Sequence, residues 1–491
     1  RLGRVFQGNL ENLYFVEALQ ACATRPKLVE QMFSDYDPER GFYIVKLYKN
    51  GWWTTECVDD YVPLDRGRRP LCSHSDSFPH VAWPSMLEKA YAKLHGSWES
   101  VGFGGAVEDA LTDLTGGVSG RFGTADAEID RLFAYLYYWQ REAIFACRLL
   151  SSSASRPPGV DLPVDAAYAL YRVVYIEKGM YVQLICGGSV PETVKSLVPE
   201  RVRASYPETS DDGYFWLPME RFCQSFETIF ECRLVNTDCS AIVDDLDLPD
   251  VQRLQEWIRP PWYGAALAVG VLPLVEPNGT SHIEDGPLYE TIWATNAPVT
   301  DFSAPEFYVT VEQAPTEVTL CVGQADQRHG LCSPGDRHHA AVLVRIFQRW
   351  PGENGDSWAI ICQSSWRHTR DAIACFKVTV PGEYMVLVSL PESGEEASTT
   401  CSKMVFRAYT TRRVGIAPVC PQGNHGWVSP DGPVGAISLS LVGMNSNPPE
   451  PFDSEEGKGF PSPGPAVSLE RAAPLAPDPP EQDPLGGCTS M

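Results

Sequence analysis

Apolar positions along the chain change period several times, and each change predicts an element. Leu13, Val16, Leu19, Ala23, Leu28 and Met32 fall near helical spacing, so one helix is expected over Leu13 to Phe33, with Pro26 able to bend or divide it. Gly41 to Leu64, "GFYIVKLYKNGWWTTECVDDYVPL", then predicts a hairpin. Two aromatic and β-branched runs flank Asn50-Gly51, the pair that a tight primed turn favours. Ala82 to Val101 contains a helix with Met86, Leu87, Ala90, Tyr91 and Leu94 on one face, and a further helix from about Asp126 runs into a strand near Ala143 to Leu150. After a loop of Ser, Arg and Pro at 151–159 come two strands, Ala166 to Ile176 and Met180 to Cys186. Asp212 to Leu234 reads as strand, short helix, strand. From about 259, runs such as "PEFYVTVEQAPTEVTLCVGQ" and "DAIACFKVTVPGEYMVLVSLP" alternate with turn residues, which predicts an antiparallel β-sandwich. The last 46 residues, from Ser446, hold 11 prolines and no element pattern, so a disordered tail is expected there.

Charge narrows the function classes. The 491 residues carry 63 acidic and 39 basic side chains, a net −24, which argues against non-specific nucleic-acid binding. The most apolar stretch, Tyr263 to Val275, is too short to span a bilayer. The 15 cysteines are scattered and odd in number, and read as reduced core thiols of a cytoplasmic chain. Arg1 stands almost directly on a helix start, so a missing natural N-terminus is expected, and any acyl anchor on it is out of view.

Isolated candidates read as structure. His338-His339 with Cys332 lie in a polar loop, without metal-ligand spacing. Trp52-Trp53 suits hairpin packing. Asp59 and Asp60 point to opposite faces of a strand and form no acid–base pair. The acidic run Asn236 to Asp250 lacks a calcium-loop pattern and reads as a solvated linker.

Four segments in order carry a resemblance. "GFYIVKLYKNGWWTTECVDDYVPL" resembles the hairpin of calpains that ends in V-D-D-x-x-P. "WPSMLEKAYAKLHGSWESVGFGGAVEDALTDLTGGV" is similar to their W-x-x-L-L-E-K-A-Y-A-K-x-x-G-S-Y-E segment and following F-T-G-G. "DGYFWLPMERFCQSFETIFECRL" resembles the segment that closes the peptidase core, and "APEFYVTVEQAPTEVTLCVGQADQR" the first strands of the following sandwich. The chain thus resembles the calpain family of papain-like cysteine peptidases, and most of all the calpain-like, cytoskeleton-associated proteins of kinetoplastids. The resemblance implies an α+β fold: a two-subdomain papain-like core with subdomains at 1–150 and 151–258, a calpain-type β-sandwich at 259–445 and the Pro-rich tail at 446–491.

The family's site residues do not carry over. Its helix start, Q-G-x-L-G-D-C-W, matches "QGNLENLY", Gln7 to Tyr14. Gln7 keeps the oxyanion glutamine, and Leu13 stands at the nucleophile. Leucine has no lone pair, so covalent catalysis at this position is excluded. The G-H-A-Y-S-V histidine falls on Ala166, and no histidine occurs between His95 and His282. The orienting asparagine is lost near Ile185, in "QLICGG". Calcium, the family's cofactor, would use acids that match Arg4 and Thr112 here; both positions are degenerate, and no cofactor is expected.

Three readings follow. The first is a non-catalytic scaffold or binding protein with protein partners, cytoskeletal by the resemblance. The second is a calcium-dependent cysteine endopeptidase with a displaced site, for which Cys22, Cys57 and Cys72 are the other thiols of the first subdomain. The third is a lipid-binding sandwich, whose only basic support is Arg407, Arg412 and Arg413.

Overall fold

The computed structural model describes residues 2–125, 127–152, 156–206, 213–235, 289–295, 306–324, 326, 339, 341–350, 357–364, 369–390, 404–418, 427–428 and 468–471. The chain opens with β1 (Val5–Phe6), α1 (Leu13–Ala23), α2 (Pro26–Gln31), β2 (Phe33–Asp37), β3 (Phe42–Lys49), β4 (Trp52–Asp59), β5 (Tyr61–Leu64), β6 (His74–Ser75), α3 (Trp83–Leu94), α4 (Trp98–Gly102) and α5 (Val107–Thr115). The single helix expected over 13–33 is two. Thr24 caps α1, Arg25 is extended, and Pro26, which lacks an N–H, starts α2. The β3–β4 hairpin turns at Asn50 and Gly51, with φ of 51° and 91°, the left-handed pair of a primed turn.

A six-stranded antiparallel sheet follows. It contains β7 (Val118–Gly123), β8 (Ala143–Leu149), β9 (Tyr168–Ile176), β10 (Gly179–Cys186), β11 (Tyr214–Pro218) and β12 (Phe226–Arg233), in the order β11-β10-β9-β8-β12-β7. Its helices are α6 (Ile129–Trp139), α7 (Glu192–Lys195), α8 (Glu200–Ala204) and α9 (Met219–Ser225). The subdomain boundary expected at 150 therefore moves. β7 and β8 are hydrogen-bonded to β12, and α6 packs in the same core as β9 and β11, so the second subdomain begins near Val118.

The sandwich pairs two five-stranded sheets. One is ordered β18-β15-β20-β13-β22 and the other β17-β16-β19-β14-β21. The strands are β13 (Tyr289–Thr295), β14 (Glu306–Val311), β15 (Thr316–Gln324), β16 (Leu343–Trp350), β17 (Ser357–Gln363), β18 (Asp371–Val378), β19 (Gly382–Ser389), β20 (Met404–Thr410), β21 (Gly415–Pro418) and β22 (Trp427–Val428). Alternate residues of the facing sheets interleave, with Phe307 stacked on Phe406 at 3.9 Å between centroids. The acidic run 236–250, Cys332 and His338 lie outside the described residues. Most of the expected tail does too; its Ser468–Arg471 forms a strand, β23, antiparallel to β5, where no strand was expected. Among the described residues no helix is long and apolar enough to cross a membrane.

Candidate functional site: the N-terminus of the central helix

Helix α1, "LYFVEALQACA", is buried on nearly every side. It packs on α5, α2 and β1 of the first subdomain and on β8 and β9 of the second. Polar ties fix it in both directions. Gln20 Oε1 accepts from the Val5 N–H at 2.8 Å, and Glu17 Oε2 pairs with Arg148 of β8 at 2.6 Å. Burial holds the Glu17 carboxyl above its ordinary range, which the Arg148 guanidinium partly offsets. The helix lies in the first core and against two strands of the second subdomain, so it is held between the two.

Leu13 is the first residue of α1. It is half-buried, after a fully buried Asn12, and packs on the first core. Gln7 Nε2 donates to the Leu10 carbonyl at 2.7 Å, so one of its donors serves the loop itself. The loop lies close against the preceding chain. A Cβ on Gly8 would meet the Leu71 carbonyl oxygen at 2.3 Å, and the Asn9 N–H donates to that oxygen.

Ala166 lies in a bend just before β9 and packs on the second core. Ile185 is not the residue opposite it. Ile185 pairs with Ala169 and is buried in the first core. The ladder then brings Gly187 to Ala167, N–H to carbonyl at 2.9 Å, and a Cβ on Gly188 would lie 3.3 Å from that of Ala166. Across the ladder, Gly187 and Gly188, rather than Ile185, lie beside Ala167 and Ala166. The β9–β10 ladder shifts register at Gln183/Leu184, an irregularity with no signature in the sequence. Gly187 could not hold a side chain as the backbone stands, because its Cβ would sit 2.2 Å from the Val5 carbonyl oxygen.

Arg4 bridges the subdomains. Its Nε pairs with Asp76 at 3.1 Å, its Nη1 reaches the Gly188 carbonyl at 3.4 Å, and a Cβ on Gly213 would touch its stem. Thr112 is buried on α5 and lines a crevice beside Asp113, Arg370 and Arg407, on the sandwich side. A guanidinium and a lone hydroxyl do not fit a hard cation that takes about 6–8 oxygen ligands. The other thiols of the first subdomain are poorly placed for chemistry. Cys22 and Cys72 are buried, and burial drives both up, Cys72 to about 12. Only Cys57, on β4, is exposed. Arg407 is buried over Tyr48 and beside Asp371, which removes it from any basic surface.

A central helix packed on elements of two subdomains and followed by a β-sandwich suits a calpain-type protease core. Residues 3–186 match the calpain family cysteine protease profile. The chain is similar to Calpain-type cysteine protease DEK1 of Arabidopsis thaliana, 29% identical over 47% of this chain and 11% of that protein. It is similar to Calpain-5 of Rattus norvegicus, 26% identical over 66% and 53%, and to Calpain of Schistosoma mansoni, 23% identical over 78% and 51%. Over residues 3–186 the chain is thus similar to calpain-type cysteine proteases. It spans between 11% and 53% of the length of these three relatives.

Proposed function

We propose that this chain is a pseudopeptidase: a calpain-like body that binds protein partners without cutting them. The residues that support the reading are Leu13, in the first turn of α1, and Ala166 and the glycines that follow β10, where the resemblance would put a thiol, an imidazole and its orienting amide. An acyl transfer needs a nucleophile, a base within hydrogen-bond reach and an orienting group. A cleft floored by leucine, alanine and glycine suits an extended, apolar peptide segment held intact. The resemblance to cytoskeleton-associated relatives makes a cytoskeletal partner the specific form of the proposal, and calcium is not required by it. The test is detergent extraction of cells expressing tagged chains. A chain ending near residue 445 is expected in the insoluble cytoskeletal fraction and residues 446–491 alone in the soluble one; the opposite distribution would end the scaffold role of the body.

The printed name of one relative, a calpain-type cysteine protease, favours a second reading, a cysteine protease with a displaced nucleophile. In the first subdomain only the exposed Cys57 remains as its nucleophile, and Cys57→Ala would then abolish turnover.

A further inference from the structure

Where the sandwich meets the first subdomain, charged side chains are buried together. Lys49 ends β3, His95 follows α3, and Asp113 lies on α5. Asp326 follows β15, and Arg370 precedes β18. The Lys49 ammonium lies 2.8 Å from His95 Nε2 and 2.8 Å from Asp113 Oδ2, and it also donates to Asp326 Oδ2. Arg370 Nη1 donates to Asp113 Oδ1 at 2.8 Å, and its Nη2 to the Asp109 carbonyl at 3.1 Å. None of the Lys49, His95, Asp113, Asp326 and Arg370 side chains is more than 5% exposed.

We infer that Lys49 is a captive cation, standing where a metal ion would stand among His95, Asp113 and Asp326, and that this internal cation latches the sandwich to the first subdomain. Three observations carry it. His95 Nδ1 lies 2.8 Å from the Tyr91 carbonyl, which only accepts, so Nδ1 holds the proton and Nε2 turns its lone pair to the ammonium. That is the tautomer a metal-bound imidazole adopts. Next, Nε2 is 3.5 Å from Asp326 Oδ2 and 4.0 Å from Asp113 Oδ2. Tetrahedral zinc with bonds of about 2.0–2.1 Å separates its ligands by roughly 3.3 Å, so these two separations exceed those of a metal site by about 0.2 and 0.7 Å. Last, the carboxylates come from both sides of the seam. Asp109 and Asp113 belong to the first subdomain, Asp326 and Asp371 to the sandwich. Lys49, Arg370 and Arg407 oppose them, so removing the lysine leaves four carboxylates facing two cations.

The seam is tied again at the hairpin tip. The Asp326 N–H donates to Asn50 Oδ1 at 2.9 Å, and a Cβ on Gly51 would meet Val405 at 2.6 Å. Because α5 packs along α1, the latch also braces the helix that opens the cleft. The inference rests on the seam alone and holds whether or not the chain is catalytic.

The test uses the full chain and its Lys49→Ala variant, with cobalt(II) as the metal probe. The wild type should show no visible bands of four-coordinate cobalt, and Lys49→Ala should show them. Adding His95→Ala should remove them. Hydrogen exchange at the β3–β4 turn and the start of β18 should be roughly tenfold faster or more in metal-free Lys49→Ala, and return towards the wild-type rate with cobalt. If Lys49→Ala does not fold without metal, refolding is compared in cobalt and in chelator; recovery in cobalt alone supports the latch, and recovery in neither overturns it. Wild-type exchange rates in the metal-free variant, or failure of the variant to bind cobalt, also overturn it.

Discussion

The cleft at the start of α1 and the seam beneath the sandwich are opposites in chemistry. At the first turn of α1, the proposed function puts an apolar side chain, a methyl group and bare backbone where a peptidase would carry a thiol, an imidazole and an amide. At the seam, Lys49, Asp113, Asp326 and Arg370 are removed from water although each is charged. Burying a charge costs several kcal/mol unless it is paired, so groups at the seam depend on one another. Groups at the cleft do not. The difference teaches that the body is braced at its domain junction by buried, mutually dependent charges.

The largest effect that could break this comparison lies at the seam. Asp113→Ala leaves Lys49 and Arg370 short of their carboxylate, and should cost about 3–5 kcal/mol in chemical denaturation. A loss under about 1 kcal/mol would mean that the seam is hydrated and its charges independent. Next is Gly187→Asn, just past β10 and close against the β1 backbone. The new Cβ would press on the Val5 carbonyl, and the expected cost is about 1–3 kcal/mol. An unchanged denaturation midpoint would show that Val5 yields easily.

A third prediction concerns a second contact of the sandwich, where two carboxylates lie near each other. Burial and the neighbouring Glu317 carboxylate push Glu142 up from 4.5 to about 7, and Glu317 is raised as well. A carboxyl whose folded value is raised binds its proton more tightly in the folded state. Its stabilisation is therefore full below about 4.5 and is lost as pH rises through about 7. Glu142→Gln should remove that loss and leave the variant more stable at pH 8, by on the order of 1–2 kcal/mol at this partly exposed site. Equal pH profiles for variant and wild type would contradict it. The smallest effect is expected at Arg4. It and Asp76 are each 23% exposed, so their coupling in a double-mutant cycle should not exceed about 1 kcal/mol.

Much of the fold was legible because hydrophobic period and turn chemistry are local. Asn50-Gly51 announced the β3–β4 hairpin, and the alternating runs after Glu306 announced the sandwich. The subdomain boundary was not legible, since β7 and β8 join their sheet through β12, far along the chain. Leu13 begins α1 and Ala166 lies just before β9, elements that short motifs mark in the chain, whereas the irregularity at Gln183/Leu184 left no such mark. The seam left no trace at all. Residues 49, 95, 113, 326 and 370 share no spacing, and only folding brings them together. The same blindness placed Arg407 on a basic surface, although it is buried against Tyr48.

The most direct measurement is peptide hydrolysis by the purified full chain across a calcium titration, with and without a thiol-directed epoxide, followed by mass analysis of the protein. The account predicts no turnover above buffer at any calcium concentration and no adduct on the peptide that carries Leu13. Calcium-dependent turnover that the epoxide abolishes, with the adduct mapped to a single cysteine, would contradict it.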